Sequence, residues 1–313
     1  QDLQGINGNL SGHYALGAHI DATATANWNN GEGFNPIGSW TSRFEGTFDG
    51  LGHVITGLTV NRPTQDDIGL FGATDSAMLR GIGLREINIT GRNYVGGLVG
   101  YALGSDIAAS YATGQVTGDT FVGGLVGDAF RSDIAASYAT GQVTGGTGTA
   151  GGLVGRAIDS DIAASYATGQ VTGGTFVGGL VGRANDSNIA ASYATGQVTG
   201  NNNVGGLVGD ALNSSDIAAS YATGQVTGNN YVGGLVGLAL NSSDIAASYA
   251  TGQVTGNHSV GGLVGVALDS NISHSHWDVE STEQSSAVGG GTGSQTNVTS
   301  IAAANRYTPT GYA

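Results

Sequence analysis

The run Gly96-Gly97-Leu98-Val99-Gly100 returns at Gly123, Gly151, Gly178, Gly205, Gly233 and Gly261, every 27 or 28 residues. A second run, Ser110-Tyr111-Ala112-Thr113-Gly114-Gln115-Val116-Thr117-Gly118, returns at Ser137, Ser165, Ser192, Ser220 and Ser248. A fixed period of this length marks a solenoid or array, in which one unit cannot bury its apolar face alone. Helices are excluded by the glycine content, since each Gly inside a helix costs about 1 kcal/mol relative to Ala. Short Val, Ile and Thr runs between Gly, Asn, Asp and Ser clusters read as strands and turns. The expected fold is therefore all-β: a right-handed parallel β-helix, or three-sided β-solenoid, with three short strands and three bends per coil. Roughly ten coils stacked about 4.8 Å apart would make a rod about 50 Å long.

Like residues then stack on like. Val116 points inward and Gln115 and Thr117 outward, by strand alternation; Leu98 and Ile107 are the other inward anchors. The one-residue length differences fall in Gly145–Ala150, Asn213–Ser215 and Asn241–Ser243, which are turns by composition. An insertion within a strand would turn every later side chain to the other face. Three regions follow: residues 1–67, an N-terminal cap with the first irregular coils; 68–278, the regular repeats; and 279–313, a C-terminal cap or linker. Within the last, Gly289–Ser294 is flexible by composition.

At these residues the chain resembles the GLUG-motif repeats of bacterial filamentous-haemagglutinin-like adhesins. The opening Gly8-Asn9-Leu10-Ser11-Gly12-His13-Tyr14-Ala15-Leu16, the run Gly46-Thr47-Phe48-Asp49-Gly50-Leu51-Gly52-His53 and the closing Ser275-His276-Trp277-Asp278 are similar to that family too. The resemblance implies a secreted or bacterial cell-surface segment of a larger adhesin, in contact with a host or microbial surface glycan or protein, or with biofilm neighbours. It implies no catalytic residues, and no cofactor is expected apart from the Ca²⁺ weighed below. The family's usual Asn two residues after the Ile is Ala109 here, and Ala in the other regular coils.

Composition narrows the partners. The net charge is −14, and nucleic acid or anionic membrane surfaces call for Lys/Arg clusters. No apolar run is long enough to insert through a bilayer as a helix. The absence of cysteine removes disulfides and thiol chemistry. Gln1 starts without a charged segment and apolar stretch, as expected of a mature form or an excised piece.

Five candidate sites arise from the stacking. Tyr111, Tyr138, Tyr166, Tyr193, Tyr221 and Tyr249 form a column that, facing outward, offers an aromatic strip for stacking on sugars. Strict alternation from Ile107 would turn them inward; a bend near Ala108–Ala109 would turn them outward and bring Ser110 in. Asp106, Asp133, Asp161, Asp216 and Asp244, with Asn188 and Asn271, form a column able to hold Ca²⁺ or to accept backbone N–H bonds in turns; the Asn substitutions favour the turn role. The Gln115/Thr117 face is a regular polar array, of the kind that orders water on ice-binding solenoids, or a solvated ladder. His274, His276, Trp277, Asp278 and Glu280 read as a metal cluster, as acid–base residues of a polysaccharide-acting enzyme, or as a cap over the last coil, the reading favoured by the family resemblance. Asp128 with Arg156, and Arg183 with Asp210, are expected as charge pairs on the surface. Open rod ends would carry unpaired strand edges and invite end-to-end association.

Overall fold

The computed structural model describes residues 2–301. Its chain winds as one parallel β-solenoid, and every pairing between strands among the described residues is parallel. Register is residue on identical residue: Ile107 pairs with Ile134, then Ile162, Ile189, Ile217, Ile245 and Ile272. One sheet has eleven strands, from His13–Ala15 to Ser294–Thr296. A second has nine, from Phe71–Asp75 to Val288–Gly291, and a third seven, from Asn93–Gly96 to His258–Gly261. The tyrosine and Val116 segments make the fourth. They share the continuous strands Gly83–Thr90 and Tyr111–Thr117 and then run as two ladders, a forked sheet.

The three strands expected per coil are thus subdivided. The second regular coil carries five segments: Thr120–Gly123, Val126–Phe130, Ile134–Ala135, Tyr138–Ala139 and Gln142–Thr144. Bends fall at small residues that admit close approach. A Cβ on Gly124 would collide with the carbonyl oxygen of Gly152 one coil on and press against Ala139. The inserted residues sit outside strands, in the bends at 145–149, 213–215 and 241–243. The core is a set of axial columns of Leu, Val, Ile and Ala; Leu125, Val143, Ile134 and Ala139 are each at most 1% exposed.

Two buried columns complete the coil, both of serine. Ser110 Oγ donates to Ala108 O (2.9 Å), and Ser110 N donates to Ser137 Oγ (3.2 Å) one coil on; the pattern continues to Ser275. Ser105, Ser132, Ser160, Ser187, Ser215, Ser243 and Ser270 do the same at the preceding bend. Each hydroxyl satisfies a carbonyl of its own coil and an N–H of its neighbour, so the corners leave these backbone groups bonded despite burial.

The ends differ from the middle. At the N-terminal end a one-turn helix, Asp2–Gly5, and 3₁₀ turns at Ile6–Gly8, Thr23–Asn27 and Asn29–Gly31 lie over the first coils. Phenylalanines fill the core there: the Phe44 and Phe48 rings lie 5.0 and 5.4 Å from that of Phe71. At the other end Trp277 takes the inward place of the alanine column, paired with Ala250, and is 8% exposed. Glycine composition led to flexibility at 289–294, but the structure differs. Val288–Gly291 is a strand paired on Val264–Ala267, and Ser294–Thr296 one paired on Asn271–Ser273. Backbone pairing to a preformed sheet edge overrides local glycine freedom there. Of the region assigned as cap or linker, residues 302–313 lie outside the described residues.

Candidate functional site

The outward bend at Ala108–Ala109 is the one the chain makes. Ala109, Ala136, Ala164, Ala191, Ala219 and Ala247 all have φ of 48–49°. This left-handed residue breaks alternation, so Ile107 and Ser110 both face inward and Tyr111 lies half-buried on the outside. The six rings stack with centroids 4.7–4.9 Å apart and planes within 4° of parallel. Their faces meet one another, so the ladder presents ring edges and hydroxyls to solution. Burial raises the phenols of Tyr138, Tyr166 and Tyr221 above their usual range.

The acidic column is bonded coil to coil. Asp133 Oδ1 accepts from Asp161 N (3.0 Å), Asp161 Oδ1 from Asn188 N (3.0 Å), Asp216 Oδ1 from Asp244 N (3.0 Å) and Asp244 Oδ1 from Asn271 N (2.7 Å). Asn188 Oδ1 takes the same place toward Asp216 N at 3.3 Å. The carboxylates therefore accept backbone N–H bonds, from the next coil rather than from their own turn. Among the described residues no group of three or more His, Asp or Glu is placed to hold a metal ion. On the neighbouring face Gln170, Gln197, Gln225 and Gln253 form an amide ladder with links of 3.4, 3.1 and 2.8 Å, which ends on Glu283.

Near the C-terminal end, Asp278 is 1% exposed, and its Oδ1 accepts from Glu280 N and Ser281 N (both 3.0 Å). It is the N-cap of the short helix Val279–Thr282, the structural use of an Asp at that place. His274 and His276 line one cleft with Tyr249, bonded to Asn297 (3.0 Å) and Thr299 (2.7 Å) respectively.

The charge pairs form as expected, but they are not surface pairs. Asp128 is fully buried under a two-pronged bond from Arg156, Nε to Oδ1 at 3.0 Å and Nη2 to Oδ2 at 2.6 Å. Asp210, 2% exposed, faces Arg183 at 3.4 Å. Aromatic residues roof this stripe: the Arg156 guanidinium lies 3.8 Å from the Phe121 ring centroid. Burial outweighs the arginine and pushes Asp210 up to about 6, and raises Asp128 as well.

An open polar recess that sequence reasoning passed over lies in the N-terminal cap. Trp28, Asn29 and Glu32 fold with Gln4, Asn35 and Arg62 around a cleft of about 650 Å³. Trp28 forms one wall, against Phe34 at 6.5 Å. The Arg62 side chain, 8% exposed, reaches Glu32 Oε2 (2.9 Å), Gln65 Oε1 (3.3 Å) and Phe34 O (3.4 Å). A tryptophan flanked by amides was the signal available in the sequence.

Residues 91–117, 146–172, 200–227 and 228–255 match the family model described as the GLUG motif. Over 113 residues, 33% of this chain, the sequence is 40% identical to Halomucin of Haloquadratum walsbyi. Over 79 residues, 25% of the chain, it is 39% identical to a putative Gly-rich membrane protein of Evansella cellulosilytica. The matched stretches span 1% and 9% of those two proteins. No helix among the described residues is long and apolar enough to cross a membrane. Four of the coils whose ladders are described above thus match the GLUG motif, and they wind with the unmatched coils between them into one continuous β-solenoid.

Proposed function

We propose that this chain is a structural and adhesive rod at the cell exterior, a segment of a larger surface protein that spaces and presents a contact face to a surface glycan or protein. The observation that carries this reading is the uninterrupted in-register stack of eleven parallel strands. At about 4.8 Å per strand it spans roughly 48 Å. A stack held by backbone bonds at every coil keeps its shape under load, which is what a spacer requires. The names of the relatives, Halomucin and a membrane protein, support the exterior setting. We read the chain as non-enzymatic and cofactor-free: Asp278 serves as a helix cap, and Asp133, Asp161, Asp216 and Asp244 each turn one carboxylate oxygen to a backbone N–H of the next coil. The test is adhesion of beads coated with this chain to cells, competed by free chain, alongside small-angle scattering. Specific, competable attachment and a rod-shaped particle are expected. A compact spherical particle, or beads that attach no better than uncoated ones, would overturn the reading.

A further inference from the structure

We infer that the cleft in the N-terminal cap is a saccharide site that takes a neutral hexopyranose. The inference deepens the adhesive reading above and rests on it for its setting at a surface. A pyranose ring has one apolar C–H face and a rim of hydroxyls. It is recognised by an aromatic wall beside groups that both donate and accept hydrogen bonds. Trp28 supplies the wall, and Asn29, Asn35 and the Arg62–Glu32 pair supply the polar rim. The guanidinium and carboxylate, 2.9 Å apart, set a donor beside an acceptor, the arrangement that two neighbouring hydroxyls match.

The cleft is built in advance. Gln4 Nε2 donates to Asn35 O (2.9 Å), and Asn35 N donates to Gln4 Oε1 (3.2 Å), which ties the first helical turn to the loop. Asn29, in the left-handed region at φ 51°, donates from Nδ2 to Gly33 O (2.7 Å). Ordering these groups before binding removes an entropic cost from the bound state. The volume, about 650 Å³, lies within the range of small-ligand pockets. Charge selects the class of sugar. Arg62 is matched by Glu32, and the chain as a whole carries −14, so sialylated or sulfated glycans meet no net cation and a repulsive field.

The experiment uses the 313-residue chain and its variants Trp28→Ala, Glu32→Gln and Asn29→Gly, the last of which keeps the positive φ. Methyl hexopyranosides (glucoside, galactoside and mannoside) are titrated while the Trp28 indole N–H is followed by NMR, and the four proteins are run on a glycan array of neutral, sialylated and sulfated oligosaccharides. At least one neutral hexoside should shift the indole, and array binding should favour neutral termini. Affinity should fall tenfold or more in Trp28→Ala and several-fold in Glu32→Gln and Asn29→Gly, with the melting temperature of Glu32→Gln unchanged. An indole unmoved by all hexosides, tighter binding of anionic glycans, or equal binding by the variants would overturn the inference. The adhesive reading fails separately. Beads that hold cells equally well with all variants sink the saccharide site and leave the rod standing. Wild-type beads that hold no cells, while hexosides still move the indole, sink the adhesive role and leave the site.

Discussion

Ala136 and its counterparts hold φ near 48° on an exposed bend, a conformation that alanine enters at a cost of about 1 kcal/mol or more and that Gly or Asn enters readily. Ala136→Asn should therefore stabilise the chain, by roughly 0.5–1 kcal/mol in urea unfolding, and Ala136→Val should destabilise it; a loss of stability in the Asn variant would contradict the left-handed bend. Asp210 illustrates the opposite pressure, a carboxyl held where its charge is costly. Its folded value, about 6, lies above the unfolded one of 3.8, so the folded state binds more protons between those values. Stability from this group is greatest below about pH 4, falls as pH rises to about 6, and is level above that. The same sign holds for Asp67, also near 6 through burial and the neighbouring Asp66. Asp210→Asn should flatten the decline in melting temperature between pH 4 and 7. An unaltered slope would show that Asp210 does not titrate in that window.

At the scale of one coil, the serine columns and the small-residue bends do more than the outward ladders. Ser165 is 1% exposed; its Oγ donates to Ala163 O (2.8 Å) and accepts from Ser137 N (3.1 Å). Ser165→Ala strands both backbone groups, and should cost about 1–3 kcal/mol in denaturant unfolding. A change within error would mean that water replaces the hydroxyl at the corner. The Gln ladder is exposed, and its bonds compete with water, so Gln197→Ala should change stability far less than Ser165→Ala does. Sequence reasoning weighed the outward columns because they are polar and repeated. The buried serines carry the same repetition, but nothing in their composition says that they face inward.

For the whole molecule, one sign of charge dominates, and along the Asp column carboxylates recur at the strand spacing. Screening should relieve this repulsion, so molar NaCl should raise the melting temperature above its low-salt value. A melting temperature that falls or stays level with salt would show that the buried Arg–Asp pairs dominate instead. At the N-terminal end Leu3 and Ile6 of the cap pack onto the core of the first coils, which Phe44, Phe48 and Phe71 fill. Deleting residues 1–60 should leave the strand Met78–Arg80 without its partner Thr47–Asp49, uncover Phe71, and produce aggregates or end-to-end filaments by light scattering; a monodisperse monomer would contradict a capping role for that region.

The 27–28-residue period, read with no coordinates, determined the coil, its parallel stacking and the inward Leu98, Ile107 and Val116. It could do so because identical residues pair in register only if each period makes one turn. What it left open was decided by single backbone angles and by winding. The sign of φ at Ala109 turned the tyrosines outward and Ser110 inward, and an alanine side chain carries no local signal of that sign. Burial of Asp128 and Asp210 depended on Arg156 and Arg183 of adjacent coils closing over them. The cleft of Trp28 draws Gln4, Asn35 and Arg62 from separate turns of the chain, a proximity that exists only once the first coils have closed over one another.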